Sequence, residues 1–272
     1  MKQGGGVKPA RSLRFQGFTL AEVLITIGIV GVVAALTIPN LMHSIRTKVL
    51  ETQFNHSIAI VNQAIRRAKA TSEIDTFQKY CTAYDENNGE YYNFNECLDV
   101  LFDTLKYKGK KTNLGDSRYL RYDTKRYGKI KTYNGKQVID GGSAMSGRGQ
   151  ALMETNTMPN GSYLNFFVNG YEFYIGIDIN GSAPPNRFGH DAFLLVLSSS
   201  DTLTGTTTSQ VTYTDEQLDK INFSSTPYRE MYGDPCNLTS NQKANGIGCG
   251  YYVLKNKCPY DNTKTYWQCL PK

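Results

Sequence analysis

Four groups of residues in this sequence could do chemistry, and their spacing decides which chemistry. The first is a carboxylate, Glu22, set inside the apolar run from Phe18 to Ile38 and preceded by Gly17. A charge inside a membrane or an apolar core is costly without a partner, so this acid demands a counter-ion or a path to water. The second group is six cysteines: Cys81, Cys97, Cys236, Cys249, Cys258 and Cys269. They form no CxxC pair and have no histidine at zinc-ligand spacing, so no metal centre is assigned to them. An even number behind an export-type N-terminus points instead to disulfides made in an oxidising compartment. Six cysteines allow about fifteen pairings; we expect neighbours to pair, Cys81 with Cys97, Cys236 with Cys249 and Cys258 with Cys269. The third group is the oxygen-rich stretch "DINGSAPPNRFGHDAF", residues 178–193, where Asp178, Asn180 and Asp191 offer hard ligands of the kind calcium takes. Its order departs from a calcium-binding EF-hand loop, because Ala183 stands where that loop needs glycine and no Glu closes it. We therefore expect a structural connector, with turns at Asn180-Gly181 and Pro184-Pro185 and aspartates capping backbone amides. A calcium site is the alternative. The fourth group is "RYLRYDTKRYGKIKTYNGK", Arg118 to Lys136, whose cations could meet phosphates while its tyrosines stack on bases. A solvated charged loop is the simpler reading.

Catalysis is not indicated. The three histidines, His43, His56 and His190, lie far apart in the chain, and no GxSxG, HExxH or SxxK order occurs. The glycine-rich stretch "IDGGSAMSGRGQ" has no GxxxxGK[ST] order, so it is not a phosphate-binding loop. A membrane-anchored extracytoplasmic enzyme is the remote alternative. The formal charge of +6 owes four units to Lys2, Lys8, Arg11 and Arg14, all in the first seventeen residues, which contain no acid. The remaining chain is nearly neutral, so the basic balance says little for nucleic acid as a partner.

The elements that must hold these residues start with the N-terminus. Residues 18–38 make a run of 21 residues, which as a helix would rise roughly 30 Å, the thickness of a bilayer's hydrocarbon core. The positive flank should stay cytoplasmic and the C-terminal bulk outside. An ordinary signal peptide ends its apolar region with small residues at the cut. Here the small residue, Gly17, comes first, so cutting beside it would remove the basic tail and leave the span on the mature chain. After Pro39, apolar residues Leu41, Ile45, Val49, Leu50, Phe54, Ile58, Val61 and Ile65 recur at three- and four-residue steps. One helix should thus cross the bilayer and lay a stripe on a soluble domain, with Pro39 bending it or opening a turn.

The run Gly17-Phe18-Thr19-Leu20-Ala21-Glu22, followed by "VLITIGIVGVVAALTIPN", resembles the type III signal of type IV pilins and type II secretion pseudopilins. The resemblance covers about residues 14–65. It implies that a membrane prepilin peptidase cuts between Gly17 and Phe18, that Phe18 is then N-methylated, and that Pro39 is the proline that kinks the long pilin helix. It also implies that Glu22 meets the amino group freed at Phe18, on its own chain or a neighbour's, and so sets the register of subunits in a filament. The partners implied are the peptidase, other pilin or pseudopilin subunits and an inner-membrane assembly platform. The chain would begin as a single-pass protein of the bacterial inner membrane and end in a periplasmic or extracellular filament.

The soluble part reads as α+β. "SYLNFFV" and "YEFYIGIDI" are strand-like and separated by Asn169-Gly170, a tight-hairpin signal, and "DAFLLVLS" makes a third strand. A long helix followed by an antiparallel sheet is the pilin-like layout, with the helix covering one sheet face. "NECLDVLFDTLKYK" and "TDEQLDKI" suggest short helices. The expected divisions are a basic leader 1–17, a transmembrane and polymerisation helix 18–38, an amphipathic continuation 39–70, a globular domain 71–200 and a Cys-rich extension 201–272. The extension has too few aliphatic residues for a core of its own, so disulfides should shape it. Its Tyr251, Tyr252, Tyr260, Tyr266 and Trp267 are expected to pack under those disulfides. The alternative, a minor tip pilin that adheres to a surface ligand or takes up DNA, would expose them.

Overall fold

From Leu20 to Ser72 the computed structural model of the chain is one α-helix, α1, 53 residues long. The structure describes residues 17–85, 87, 90–91, 93–105, 130–139, 156–158, 160–169, 172–205, 236–241 and 245–271. The basic leader, most of the Arg118–Lys136 stretch, most of the glycine-rich loop and the short helix expected at "TDEQLDKI" fall outside them. The chain divides into two compact units, Met1–Ser44 and Ile45–Lys272. Pro39 sits within α1 without ending it. It removes one backbone donor, but its fixed φ is helical, so the turn that sequence alone allowed does not open.

In the second unit α1 buries Leu50, Phe54, Ser57, Val61, Ala64, Ile65 and Ala68. Leu41, Ile45 and Val49, which the sequence placed on the same stripe, are at least half exposed. Spacing reports that a helix face is apolar; it does not report where along the helix the partner begins. Small residues at 57, 64 and 68 let α1 lie close to what it covers.

Downstream come α2 (Phe77–Cys81), the β1–β2 pair (Tyr84–Asp85 and Glu90–Tyr91), α3 (Phe94–Thr104) and the β3–β4 pair (Ile130–Lys131 and Val138–Ile139). The main sheet is antiparallel, in the order β5 (Asn156–Thr157), β6 (Tyr163–Asn169), β7 (Glu172–Asp178), β8 (Ala192–Leu197) and β9 (Leu203–Gly205). Register places three rows across its central strands: Leu164–Ile177–Phe193, Phe166–Ile175–Leu195 and Val168–Phe173–Leu197. All nine side chains are buried in one hydrophobic cluster with the α1 stripe. The two-residue period of strands puts them on a single face. Strand β8 is buried along its whole length, which is why "AFLLVL" reads as an unbroken apolar run. The β6–β7 register pairs Asn169 with Glu172. Asn169 is therefore the last strand residue, and the connection is 170–171, one position later than the Asn169-Gly170 signal suggested. This is an α+β, pilin-like fold.

Two aromatic clusters close the core. Near α2 and α3, Phe77 and Phe94 stand edge-on to Phe173 at 6.0 and 6.1 Å, and Phe102 meets Phe166 at 5.7 Å. At the other, Phe54 of α1 meets Phe193 at 4.9 Å and Trp267 at 5.8 Å. The C-terminal stretch thus enters the common core. Within it, α4 (Cys249–Leu254) lies directly on the sheet backbone. A Cβ on Gly250 would stand 2.3 Å from the Leu194 carbonyl, and one on Gly205 would stand 2.2 Å from the Tyr251 amide. Strand β9 also lies past residue 200, so the sheet continues into the stretch that the sequence set apart as an extension.

Asp201, in the β8–β9 turn, ties three elements together. Its carboxylate accepts the amides of Phe77 and Gln78 at 3.0 and 2.8 Å, at the start of α2. It also pairs with Lys69 Nζ, in the last turn of α1, at 2.7 Å, and its side chain is only 5% exposed. The Lys69 side chain is 32% exposed and can turn to water, so removing the Asp201 carboxylate chiefly leaves the two α2 amides without their acceptor. Asp201→Ala is expected to destabilise the second unit by about 1–3 kcal/mol, read from denaturant midpoints. Asp201→Asn, which keeps one acceptor oxygen, should cost less.

Candidate functional site

The helix that carries Glu22 begins one residue after Thr19. The Thr19 carbonyl accepts the first helical hydrogen bond, from the Val23 amide at 3.2 Å. Thr19 is therefore the N-cap and Glu22 the third residue of the helix. The Thr19 hydroxyl accepts the Glu22 amide at 3.2 Å. In return Glu22 Oε2 accepts both the Thr19 amide and the Thr19 hydroxyl, each at 2.8 Å. This reciprocal arrangement is a capping box, which satisfies donors that a helix start otherwise leaves open. Its T-x-x-E signature stands in the sequence directly ahead of an apolar run, where it marks a helix start. A carboxylate in the first turn also suits the positive end of the helix dipole.

The other polar side chains of the run are likewise satisfied inside the helix. The hydroxyls of Thr26 and Thr37 donate to the carbonyls of Val23 and Val33, each at 2.9 Å. Internal satisfaction is what a bilayer requires of polar groups. Around them the surface is apolar and open: Phe18 is 87% exposed, and Leu20, Leu24, Ile25, Ile27, Ile29, Val30 and Leu36 are all exposed. Nothing lies within 4 Å of a Cβ built on Gly28 or Gly31, so the helix carries shallow notches at both. The helix is long and apolar enough to cross a membrane. Gly17 and Phe18 precede it in non-helical backbone, and a Cβ on Gly17 would also meet open space.

The stretch 178–193, the calcium alternative in the sequence, is here the end of β7, the connecting loop up to Asp191 and the start of β8. Asp191 is fully buried, and its two oxygens accept the amides of Arg187 and Asn186, both at 2.6 Å. Asp178 is buried too, and Asn180 and Asn186 brace the loop by donating to the carbonyls of Pro184 and Ser182 at 3.2 and 3.3 Å. The Asn180 and Asn186 side-chain oxygens accept no hydrogen bond. Among the described residues no three His, Cys, Asp or Glu side chains gather as metal ligands. The loop's edge makes a ladder with the β3 segment: the Lys131 amide donates to the Asn186 carbonyl at 2.8 Å, and Phe188 returns the bond to Lys131 at 2.9 Å. His190 is buried, with Nε2 3.2 Å from the Tyr133 carbonyl that it donates to. It is a packing residue. His56 instead lines a groove of about 400 Å³ with Ile60, Arg67, Leu105 and Met158.

Burial pushes the Asp191 carboxyl up to about 6, against the opposing effect of the Arg187 and Asn186 amides and the Asn180 side chain. The unfolded chain has the ordinary value of 3.8. Between those values the folded unit holds a proton that the unfolded chain has released. This group's contribution to stability therefore falls as pH rises from about 4 to about 6. Asp191→Asn is expected to lower stability throughout, because the amide offers one acceptor for two backbone donors. It should also remove that pH-dependent fall, as followed by denaturant midpoints across the same window.

The cysteines pair as Cys81–Cys97, Cys236–Cys249 and Cys258–Cys269. They join α2 to α3, residue 236 to the start of α4, and the two ends of the final stretch. Each closes a loop of 11 to 16 residues, a size at which a disulfide restrains the unfolded chain by about 3 kcal/mol. Of the aromatic residues in this region, Tyr266 and Trp267 are buried, Tyr251 and Tyr252 are half-buried, and Tyr260 is exposed. Tyr266 donates its hydroxyl to the Gly189 carbonyl, and Tyr260 donates to that of Cys269. Lys131 and Lys136 are the described cations of the basic stretch; Arg121, Lys125 and Arg126 lie outside the described residues.

No curated protein and no solved structure matches the chain. Residues 13–38 do match the family model described as the prokaryotic N-terminal methylation motif. That match takes in Gly17, Phe18, the capping box and the apolar run as far as Ile38. The N-terminus is a type IV pilin-like prepilin signal, and it supports a type IV pilin- or pseudopilin-like subunit anchored in a membrane by its first helix.

Proposed function

We propose that this chain is a prepilin-like structural subunit of a type IV pilus or of a type II secretion pseudopilus. Prepilin peptidase cuts between Gly17 and Phe18 and Phe18 is methylated. The mature chain then leaves the inner membrane through an assembly platform and stacks by its apolar helix into a filament. Glu22 sets the axial register by meeting the α-ammonium of Phe18 on a neighbouring subunit. Loop 178–191 serves as a connector rather than a calcium site, since both Asp191 oxygens are spent on backbone amides. The chain's task is structural rather than catalytic. The observation that carries this reading is the match of residues 13–38, with Gly17, Phe18 and Glu22 in order ahead of an exposed apolar helix. An adhesive tip would have to do without Tyr266 and Trp267, whose rings are buried.

The test is intact mass and N-terminal analysis of the protein from its native membrane or filament. The expected chain begins at Phe18, carries one methyl group there and has six oxidised cysteines. A native chain that still begins at Met1 would refute the reading.

A further inference from the structure

Resting on that reading, a gap in it can be filled. The α-ammonium that is to meet Glu22 does not exist until the peptidase has cut. Until then the precursor holds a carboxylate in its apolar segment with no such counter-ion. The capping box supplies what is missing, and it does so from inside the cut: the amide and hydroxyl that Glu22 accepts both belong to Thr19. The Phe18–Thr19 peptide bond is not the bond that is broken, and the methyl group goes to Phe18. The box is therefore the same before cleavage, after cleavage and after methylation. Both bonds also use a single oxygen, Oε2, and among the described residues Oε1 accepts none.

We infer that Thr19 is the positioning residue for Glu22, holding one carboxylate oxygen within the chain through maturation and leaving the other for a neighbour's ammonium. The carboxylate is then fixed on the helix before a partner arrives, and docking need not first order its side chain. Serine at position 19 can build the same box; valine, with the same shape and no hydroxyl, cannot.

The experiment uses the full-length precursor and the matured chain in lipid bilayers, as the parent and as Thr19→Val, Thr19→Ser and Glu22→Gln. Amide hydrogen exchange at Glu22 is measured in both forms, and filament yield is normalised to the amount of cleaved chain. Thr19→Val is expected to speed Glu22 exchange roughly fivefold in precursor and mature chain alike, the loss usual for an N-cap hydroxyl. It should also cut filament yield about tenfold, with Thr19→Ser close to the parent in both readings. Unchanged Glu22 exchange in Thr19→Val would overturn the inference, as would parental filament yield from that variant. Normal filaments from Glu22→Gln would instead remove the register role, and Glu22 exchange in Thr19→Val alone would then show whether Thr19 holds the carboxylate.

Discussion

Glu22→Ala will be cut after Gly17 like the parent and will give no filaments. The proposed cut, at the Gly17–Phe18 bond, lies ahead of the helix in non-helical backbone, and both residues are unchanged by the substitution. What is lost is the acceptor of the Thr19 amide and the only carboxylate of the apolar run. Truncating one member of a desolvated charge pair weakens association by roughly a hundredfold or more, because the other charge is left alone. In a helical stack the loss recurs at every subunit, so polymer falls below detection while monomer accumulates in the membrane. The measurement is paired: leader loss by mobility shift, and filament yield by shearing and sedimentation. Filaments at the parental level from cleaved Glu22→Ala would end the register role. Uncut Glu22→Ala precursor would place Glu22 in recognition by the peptidase instead.

The second large effect is expected at Gly189, at the end of the connector loop. Its φ is +73°, a conformation that costs a residue with a Cβ about 1–2 kcal/mol. A Cβ there would lie 2.6 Å from the Cys249 sulfur and 2.7 Å from the Tyr133 ring. Both neighbours are fully buried and have no room to retreat. Overpacking of that kind adds a further 1–3 kcal/mol. Gly189→Ala is therefore expected to destabilise the soluble unit by about 3 kcal/mol or more and to leave part of the Cys236 and Cys249 thiols unpaired. Denaturant midpoints and thiol titration of the denatured chain read the two effects. Gly161→Ala is the control: its φ is +84° but nothing lies within 4 Å, so only the conformational cost, about 1–2 kcal/mol, should appear. Equal losses at the two sites would show that the packing against Cys249 contributes nothing.

The two sites were not equally legible. The apolar run, the Gly-Phe-x-x-x-Glu order and the alternation along β6 and β7 are local patterns, each expressed within a few turns of chain. Local patterns carry secondary structure and targeting signals directly. The capping box was also local, and was legible as T-x-x-E. Asp201 was not, because its carboxylate is defined by amides 123 and 124 positions away. The same holds for the contact of α4 with the sheet, made by Gly205 and Gly250, two glycines with no local signature. At Pro39 sequence leaves a bend or an opened turn as alternatives, and the helix runs on through it, so the turn does not form. The aromatic residues near the C-terminus are expected from sequence to pack under the disulfides, and Tyr266 and Trp267 are indeed buried, but the core that takes them is built from α1 and β8, which local pattern does not reveal.

The contact between Phe54 and Trp267 has a temporal consequence. It joins α1 to residue 267, so the core of the second unit lacks a wall until Trp267 has been made and, on the topology proposed above, carried across the membrane. Contacts between the two ends of a chain form late, since a long loop must close first. A nascent chain halted short of Trp267 would leave Phe54 and Phe193 bare to proteases and chaperones. On that proposal, export of Trp267 and closure of the fold are one event.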